Sequence, residues 1–285
     1  MGDEDRLASW VRKKLNWKEM RSVKTLLRRY GLNTVCESAR CPNQSECFGR
    51  GQATFLIMGD VCARDCRFCS IKVGIPHPLD ETEPLRVADA SRFLSLKHVV
   101  ITSVTRDDLP DGGAEHFFKT VTSVKALEWT PSVEVLTSDL GGSVYALDRI
   151  IESHPDVYNH NVETVPSLYP KIRPRADYER SLMILDRAAR SDRRIRIKSG
   201  LMVGFGERME EVRAVLHDLK DAGCHTVTIG QYLRPTLRNV PVKEYVSMDS
   251  FKAFEEYGKK LGLETIASPL ARSSYRADHY AVLLS

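Results

Sequence analysis

The chain has 285 residues, a formal net charge of +4, and a composition of 42% hydrophobic and 28% charged residues. These proportions are ordinary for a globular protein with a sizeable core, and they exclude the fibrous and intrinsically disordered classes. The length suits a single α/β barrel. A net charge of +4 is too small to predict nucleic-acid binding, and no run of about 18 apolar residues predicts a membrane span.

The first residues, Met1-Gly-Asp-Glu-Asp, are acidic and lack the basic-then-apolar order of a secretion signal. Transit peptides are rich in arginine and poor in acidic residues, so this start does not resemble one either. We therefore expect a cytoplasmic protein, in which cysteines are thiols or metal ligands rather than disulfides.

In chain order, a basic segment at 12–29 predicts a helix, and a cysteine-rich loop follows it. From residue 53 onward, short Val- and Ile-rich strands alternate with amphipathic helices, which predicts a parallel sheet with right-handed crossovers. Six units fall short of the eight of a closed barrel, so the predicted fold class is α/β, a partial, open TIM-type barrel of about six units with an N-terminal cysteine-rich extension. The predicted strands are 53–59, 98–104, 132–138, 157–163, 196–204 and 226–233, and the predicted helices are 114–128, 145–153, 178–190, 209–222 and 248–261.

Six of the seven cysteines fall into two triplets, and the second triplet is Cys62-Ala-Arg-Asp-Cys66-Arg-Phe-Cys69, directly after the first predicted barrel strand. Soft thiolates at this spacing predict a compact metal centre, either zinc or an iron–sulfur cluster. Zinc ribbons use CxxC pairs and four ligands. Three thiolates with an aromatic residue before the last one favour a 4Fe–4S cluster with one iron left open for a small molecule.

This CxxxC motif with Phe68 before Cys69 resembles the radical S-adenosylmethionine superfamily. The resemblance implies that Cys62, Cys66 and Cys69 hold a 4Fe–4S cluster whose open iron binds S-adenosylmethionine. The protein would then bind and orient the reactants and exclude water, while the cofactors carry out the chemistry. A structural zinc site or a redox pair is the alternative.

The first triplet, Cys36, Cys41 and Cys47, has the spacing CxxxxCxxxxxC, which by itself indicates only a metal or cluster. Paired with the second triplet, it resembles the lipoyl synthase family, and this resemblance implies an auxiliary 4Fe–4S cluster on Cys36, Cys41 and Cys47. In that family a serine near the C-terminus is the fourth ligand. The match is Arg272-Ser273-Ser274-Tyr275, which assigns the ligand to Ser274, with Ser273 as the second choice. This assignment predicts that residues 270–275 fold back against the N-terminal cysteine loop.

Further segments carry the resemblance along the chain. Arg106-Asp-Asp-Leu-Pro-Asp-Gly-Gly-Ala114 follows the second predicted strand; apart from the family match, it could be a turn in which Asp111 caps the next helix, or a magnesium site. Asn161 and Glu163 are two residues apart at the end of the predicted strand 157–163, so they are expected to point to one face, toward the barrel mouth. The family match implies that they contact S-adenosylmethionine, as does Tyr232; the alternatives are a solvated polar pair at 161 and 163 and a core tyrosine at 232. The implied cofactor-binding residues are Phe68, Asn161, Glu163, Lys198, Gly200 and Tyr232.

Two positions depart from the family pattern, and one cysteine stays without a role. Phe48 stands where the family has tryptophan, and Arg175 replaces a common glycine, adding a surface contact or altering a loop. The lone Cys224 is expected to be a small buried hydrophobic residue.

The resemblance implies three segments: a helix and auxiliary-cluster loop at 1–52, a radical S-adenosylmethionine barrel at 53–268 and a tail at 269–285. It also implies an enzyme, a sulfurtransferase that inserts two sulfur atoms at C6 and C8 of a protein-bound octanoyl-lysine. Two S-adenosylmethionine molecules are consumed per lipoyl group, and the auxiliary cluster is sacrificed as the sulfur donor.

The implied partners are octanoylated carrier domains, namely the glycine-cleavage H protein and the acyltransferase subunits of 2-oxo-acid dehydrogenases. An electron donor such as ferredoxin or flavodoxin and cluster-repair proteins are also implied, with no nucleic acid and no membrane. Two alternatives stay open at this point: a biotin synthase, whose auxiliary ligands lie within the barrel, and an iron–sulfur electron carrier.

Overall fold

The computed structural model describes residues 17–50 and 52–275. The strands are β1 (Asn33–Thr34), β2 (Thr54–Ile57), β3 (Val61–Cys62), β4 (Lys72–Val73), β5 (His98–Ser103), β6 (Ser132–Leu136), β7 (Val157–Asn159), β8 (Arg196–Val203), β9 (Thr226–Gln231) and β10 (Glu264–Ala267). The helices are α1 (Trp17–Arg29), α2 (Val35–Ser38), α3 (Gln44–Gly49), α4 (Glu83–Phe93), α5 (Ala114–Lys125), α6 (Val144–Ile151), α7 (Tyr169–Ile172), α8 (Tyr178–Ser191), α9 (Met209–Asp221) and α10 (Met248–Lys260).

The main sheet has the order β1-β2-β5-β6-β7-β8-β9-β10. Neighbours from β2 to β10 are parallel, and only β1 pairs antiparallel, with β2. Because β1 and β10 lie at opposite edges, the barrel is open. The predicted partial α/β barrel is therefore confirmed, with helices connecting successive parallel strands.

Two barrel elements were not predicted. Helix α4 begins after Thr82 with Pro84 in its first turn, and its short apolar face is interrupted by charged residues. Strand β10 has four residues, two of them polar, and forms a seventh parallel strand beside β9. Neither element has the long hydrophobic period on which sequence prediction depends.

The helices begin where polar side chains accept their first free N–H groups. Asp177 accepts the N–H of Arg180 at 2.7 Å at the start of α8, and Ser247 accepts that of Ser250 at 3.1 Å at the start of α10. The predicted cap at Asp111 is confirmed, since its carboxylate accepts the N–H groups of Gly113 and Glu115 at 3.0 and 2.9 Å.

The core lies between the strands and the helices that cover them. Strand side chains such as Phe55, Ile101 and Val135 are fully buried, as are Phe117 of α5 and Leu216 of α9. Cys224 is buried in this core, as predicted, and burial raises the pKa of its thiol. Within the described part of the chain, no helix is both long and apolar enough to cross a membrane.

The segment before the barrel contributes to the same sheet through β1, and α1 packs against α3. The part of the predicted basic helix before Trp17 lies outside the described residues. The three-segment division of the chain stays a prediction.

Candidate cluster and cofactor site

A cavity of about 590 Å³ lies at the mouth of the barrel, and it is lined by the whole first cysteine triplet and, from the second triplet, by Cys69. Its wall combines the N-terminal loop, the loop after β2, the ends of several barrel strands and the C-terminal tail. The predicted site residues that line it are Cys36, Cys41, Cys47, Phe68, Cys69, Asn161, Glu163, Gly200, Tyr232, Ser273 and Ser274.

The second cysteine triplet follows β2: Cys62 ends the short strand β3, and Cys66 and Cys69 lie in the loop between β3 and β4. The backbone N–H groups of Thr105 and Arg64 point at the Cys62 sulfur, at 3.3 and 3.5 Å, and the N–H of Cys69 donates to the Cys66 carbonyl oxygen at 2.9 Å. N–H groups directed at a sulfur stabilise a thiolate, as they do around iron–sulfur clusters. The loop is therefore organised around its sulfur atoms.

Burial raises the pKa of the Cys69 thiol to about 12 and also raises that of Cys66. In the first triplet, burial and the neighbouring Cys41 raise the pKa of Cys36 to about 12. These thiols are protonated at neutral pH unless a cation draws the protons off, and metal coordination does so. Assembly of a cluster on either triplet would thus release protons.

The first triplet is placed by two short helices. Thr34 caps α2, which carries Cys36, and the N–H of Cys41 donates to the Cys36 carbonyl oxygen at 3.0 Å. Cys47 lies on α3, and its N–H donates to the carbonyl oxygen of Asn43 at 3.0 Å. Local backbone bonding therefore brings three sequence-separated thiols to one wall of the cavity.

The C-terminal tail folds back onto this loop. The Asn43 amide donates to the Leu270 carbonyl oxygen at 2.8 Å, and the Tyr275 hydroxyl donates to the Glu46 carboxylate at 2.7 Å. Docking of the tail against the N-terminal cysteine loop was predicted and is observed. The identity of the serine ligand stays a prediction.

The two neighbouring serines have different surroundings. The Ser273 hydroxyl donates to Asn161 Oδ1 at 2.8 Å and lies 3.4 Å from Thr228 Oγ1. The Ser274 hydroxyl lines the cavity and makes no hydrogen bond within residues 17–50 and 52–275. An available hydroxyl on the cavity wall favours Ser274 over Ser273 as a ligand.

Asn161 and Glu163 meet at the barrel mouth, where the Asn161 amide donates to Glu163 Oε1 at 3.2 Å. The predicted reason was wrong, since β7 ends at Asn159 and the two residues do not alternate along a strand. Instead the chain turns at Glu163, which has a φ of 67°, and Glu163 then bridges to Leu201 of β8. Burial raises the pKa of the Glu163 carboxyl.

Tyr232 fits both of its predicted interpretations. Its ring stacks on Phe205 with centroids 4.3 Å apart, and its hydroxyl donates to the Val240 carbonyl oxygen at 2.7 Å, as in a core tyrosine. The same residue lines the cavity, together with Phe68. Lys198, by contrast, lies beneath the cavity, where its ammonium group contacts Glu134 at 3.1 Å.

Comparison with known proteins agrees with this geometry. A family model described as the radical SAM superfamily matches residues 56–230. A lipoyl synthase from Caldanaerobacter subterraneus subsp. tengcongensis is 53% identical over 274 residues, covering 96% of this chain and 96% of its own. A lipoyl synthase from Chlorobium limicola is 47% identical, covering 95% and 94%.

The chain belongs to the lipoyl synthase family. It is accordingly an enzyme, a radical S-adenosylmethionine sulfurtransferase that uses a 4Fe–4S cluster and S-adenosylmethionine. The electron-carrier and biotin synthase alternatives are thereby set aside, as is zinc at the second triplet.

Solved structures show the same fold at low identity. Methylornithine synthase aligns with a TM-score of 0.57 at 16% identity, over 89% of this chain and 82% of its own. The FeFe-hydrogenase maturase from Carboxydothermus hydrogenoformans aligns with a TM-score of 0.56 at 15% identity, over 94% and 77%. At this level of identity, the likenesses show the fold alone.

The thiols of this lipoyl synthase family member suit clusters by their chemistry, because three soft thiolates with N–H groups directed at a sulfur are the ligand set of a cubane. No three His, Cys, Asp or Glu side chains in the described part of the chain are gathered tightly enough to hold one metal ion. A cluster does not require such a point, because each of its thiolates binds a different iron.

Sequence reasoning missed several residues that hold the segment of the second cysteine triplet, 62–69. Arg64, inside the cysteine motif, is buried and pairs with Asp107 and Asp139, each at 2.7 Å. The Asn239 amide donates to the carbonyl oxygens of Arg67 and Cys69 at 3.3 and 2.7 Å. The only sequence signal for Arg64 is its position among three cysteines. Nothing in the local sequence marks Asn239.

Arg173 is a further residue that was missed. Its guanidinium donates to the carbonyl oxygens of Asn161 and Val162 at 3.2 and 3.1 Å and lies against Cys66, where it opposes the rise in the thiol pKa that burial causes. A buried arginine next to Cys66, a predicted cluster ligand, places positive charge where anionic groups gather.

The carboxylates of the segment 106–114 are not available as magnesium ligands, which argues against the magnesium alternative. Arg106 donates to Asp108 at 2.7 Å, Arg64 binds Asp107, and Asp111 caps α5. The three carboxylates are thus each used within the fold.

Proposed function

We propose that this chain is a lipoyl synthase in the full sense: it inserts two sulfur atoms, at C6 and C8, into an octanoyl group held in amide linkage by a lysine of a carrier domain. The observation that carries the proposal is that one cavity is lined by all three cysteines of the first triplet, by Cys69 of the second triplet and by Ser274. A hydrogen-abstracting centre and a sulfur source would then face the same substrate.

Cys62, Cys66 and Cys69 would hold the radical cluster. With S-adenosylmethionine bound, that cluster supplies one-electron chemistry that removes a hydrogen atom from an unactivated C–H bond, for which no base of accessible pKa would serve.

The chain's own residues bind and orient the reactants. Asn161 and Glu163 offer an amide and a carboxyl group at the barrel mouth for the polar parts of S-adenosylmethionine. Phe68 and Tyr232 provide aromatic wall beside them. Exclusion of water by these walls protects a reactive intermediate from side reactions.

Apolar side chains complete the cavity and suit an eight-carbon acyl chain. Such a chain gains about 0.8 kcal/mol for each methylene group it buries. The apolar lining residues include Val35, Val100, Leu136, Leu201 and Met202.

Cys36, Cys41, Cys47 and Ser274 would hold the auxiliary cluster, which is a substrate of the reaction because it gives up its sulfur. A serine oxygen is a labile ligand for iron, and this suits a cluster that comes apart. Each chain would then form about one lipoyl group per assembled auxiliary cluster, and further turnover would require cluster repair.

The proposed partners follow from this chemistry. An octanoylated H protein or 2-oxo-acid dehydrogenase acyltransferase domain brings the substrate, and a ferredoxin or flavodoxin brings electrons. Cluster-repair proteins restore the auxiliary site.

The test is anaerobic reconstitution with an octanoylated carrier peptide, with mass spectrometry for added sulfur and chromatography for 5′-deoxyadenosine. Replacing Cys36, Cys41 and Cys47 together with alanine should leave 5′-deoxyadenosine formation measurable and abolish sulfur addition. The matched variant, alanine at Cys62, Cys66 and Cys69, should retain about four irons per chain but form no 5′-deoxyadenosine. Sulfur addition by the first variant, or sustained turnover without cluster repair, would refute the proposed sulfur source.

A further inference from the structure

The tail lies in a groove that glycines open on two adjacent barrel strands. A Cβ atom at Gly230 of β9 would stand 2.2 Å from the Ala271 carbonyl oxygen and 2.7 Å from Arg272 Nη1. A Cβ atom at Gly200 of β8 would stand 2.9 Å from Ser273 Oγ. Contacts this short do not occur between real atoms, so any side chain at 230 would displace the tail backbone.

Gly200 was predicted to be a cofactor-binding residue. In the structure the close neighbours of Gly230 are tail atoms, and those of Gly200 are Thr228 Oγ1 at 2.5 Å, Ser273 Oγ at 2.9 Å and Asn161 Oδ1 at 3.0 Å. Gly230 therefore makes room for the tail backbone, and Gly200 makes room for the Ser273 hydroxyl together with the side chains of Thr228 and Asn161.

A buried charge holds the tail from below. The Lys198 ammonium group donates to the Ser273 carbonyl oxygen and to both Glu134 oxygens, at 3.1 and 3.2 Å for the latter. Both side chains are about 2–3% exposed. Glu134 also accepts the Asn159 amide at 2.8 Å and has His98 Nε2 3.6 Å away.

This arrangement explains why a lysine is buried beneath the site. An ammonium group inside a barrel is costly unless it is paired and fully hydrogen-bonded. Glu134 supplies the opposite charge, and the tail carbonyl takes another of the three N–H donors. The direction of the Lys198 side chain thus fixes the backbone at Ser273.

We infer that Gly200, Gly230 and Lys198 form a seat for the C-terminal tail, and that Lys198 is a positioning residue that sets Ser274 opposite the auxiliary cysteines. The inference deepens the proposed function and rests on it for the role of Ser274. It assigns Lys198 to the tail instead of to S-adenosylmethionine.

The first test follows hydrogen exchange of the tail peptide 268–275 in the full chain before cluster reconstitution. Because removing Lys198 alone would leave a buried unpaired carboxylate, the main variant is Lys198→Met with Glu134→Gln. Gly230→Ala attacks the seat by an independent route. Both should speed exchange of the tail peptide at least tenfold while exchange in β6 and β9 stays within twofold of the wild type.

Matched controls lie on the same fold. Arg196→Gln breaks another ion pair of β8, with Glu264, and Gly74→Ala adds a methyl group that meets only Val61 Cγ1, at 3.3 Å. Neither should change tail exchange. An unchanged tail in the two seat variants, or equal loosening of tail and strands, would overturn the inference.

The second test reads the auxiliary cluster by Mössbauer spectroscopy in a chain whose Cys62, Cys66 and Cys69 are alanine. The seat variants should reproduce the altered spectrum of Ser274→Ala, since each leaves one iron without its serine. A wild-type spectrum in the seat variants would refute the positioning role. Failure of the proposed function would give a different result: the unmodified chain would add no sulfur to the octanoyl group although its tail is protected from hydrogen exchange.

Discussion

The side-chain amide of Asn43 donates a hydrogen bond of 2.8 Å to the backbone carbonyl oxygen of Leu270, 227 residues later in the chain. Asn43 is completely buried between Cys41 and Cys47. One amide therefore ties the loop of the first cysteine triplet to the tail that carries Ser274.

Replacing Asn43 with aspartate should loosen this tie, because a carboxylate oxygen would then face a carbonyl oxygen. Leaving a buried acceptor unsatisfied costs about 1–3 kcal/mol. We expect anaerobically reconstituted protein to fall from about eight toward about four irons per chain while 5′-deoxyadenosine formation persists. Asn33→Asp, in β1, is the control, and loss of iron from both variants alike would count against the assignment.

Arg64 should strongly stabilise the segment of the second cysteine triplet, 62–69. Among the described residues, Arg64→Met would leave the fully buried Asp139 with one salt-bridge partner, Arg180 at 3.3 Å, besides the backbone N–H of Gly141. Breaking a buried pair costs about 3–5 kcal/mol. Urea unfolding should show this loss, whereas Arg92→Met, which breaks an exposed pair with Asp89, should cost at most about 1 kcal/mol. Equal losses of unfolding free energy in the two variants would mean that the buried pair stabilises the protein no more than the exposed pair does.

The stability of the fold should fall as the pH drops below neutral, because of His160. Burial and the nearby Arg173 lower the pKa of His160 from 6.5 to about 4. Between pH 6.5 and 4, His160 is therefore protonated in the unfolded chain but neutral in the folded chain. Its contribution to the free energy of unfolding is present above pH 6.5 and is lost progressively as the pH falls toward 4.

For this histidine alone, the free energy of unfolding should be about 1.3 kcal/mol lower at pH 5.5 than at pH 7.5. Urea titrations of the metal-free chain at the two pH values measure the difference. His160→Asn should remove that part of the pH dependence, and His154→Asn, at an exposed histidine, should keep it. A pH dependence that survives in His160→Asn would assign the effect to other groups.

Arg175 replaces a glycine common in the family. Of its two predicted effects, a surface contact or an altered loop, the structure shows the surface contact. Its guanidinium donates to the Ala63 carbonyl oxygen and lies 3.5 Å from Asp107. Since the side chain is 57% exposed, Arg175→Gly should cost at most about 1 kcal/mol. Hydrogen exchange of the 62–69 loop should rise slightly, with 5′-deoxyadenosine formation intact; loss of that activity would show a larger role.

The strand and helix predictions succeeded where the hydrophobic pattern was long. Strands β5, β8 and β9 lie within one or two residues of their predicted bounds, because runs of Val and Ile bury on both faces of a parallel sheet. β10 was missed because its four residues are too few for a period. Asn161 and Glu163 were placed together for the wrong reason, since a turn with positive φ, rather than strand alternation, brings them together.

By itself, the sequence determined the barrel class, the two cysteine triplets and the family, because hydrophobic periods and ligand spacings are local properties of a chain. Only the tertiary structure decided what Lys198, Gly230 and Asn43 do. The sequence predicts Lys198 as a cofactor contact and gives Gly230 no role of its own, yet both meet the tail. Their roles depend on which distant backbone the fold lays across them, and no local pattern encodes that crossing.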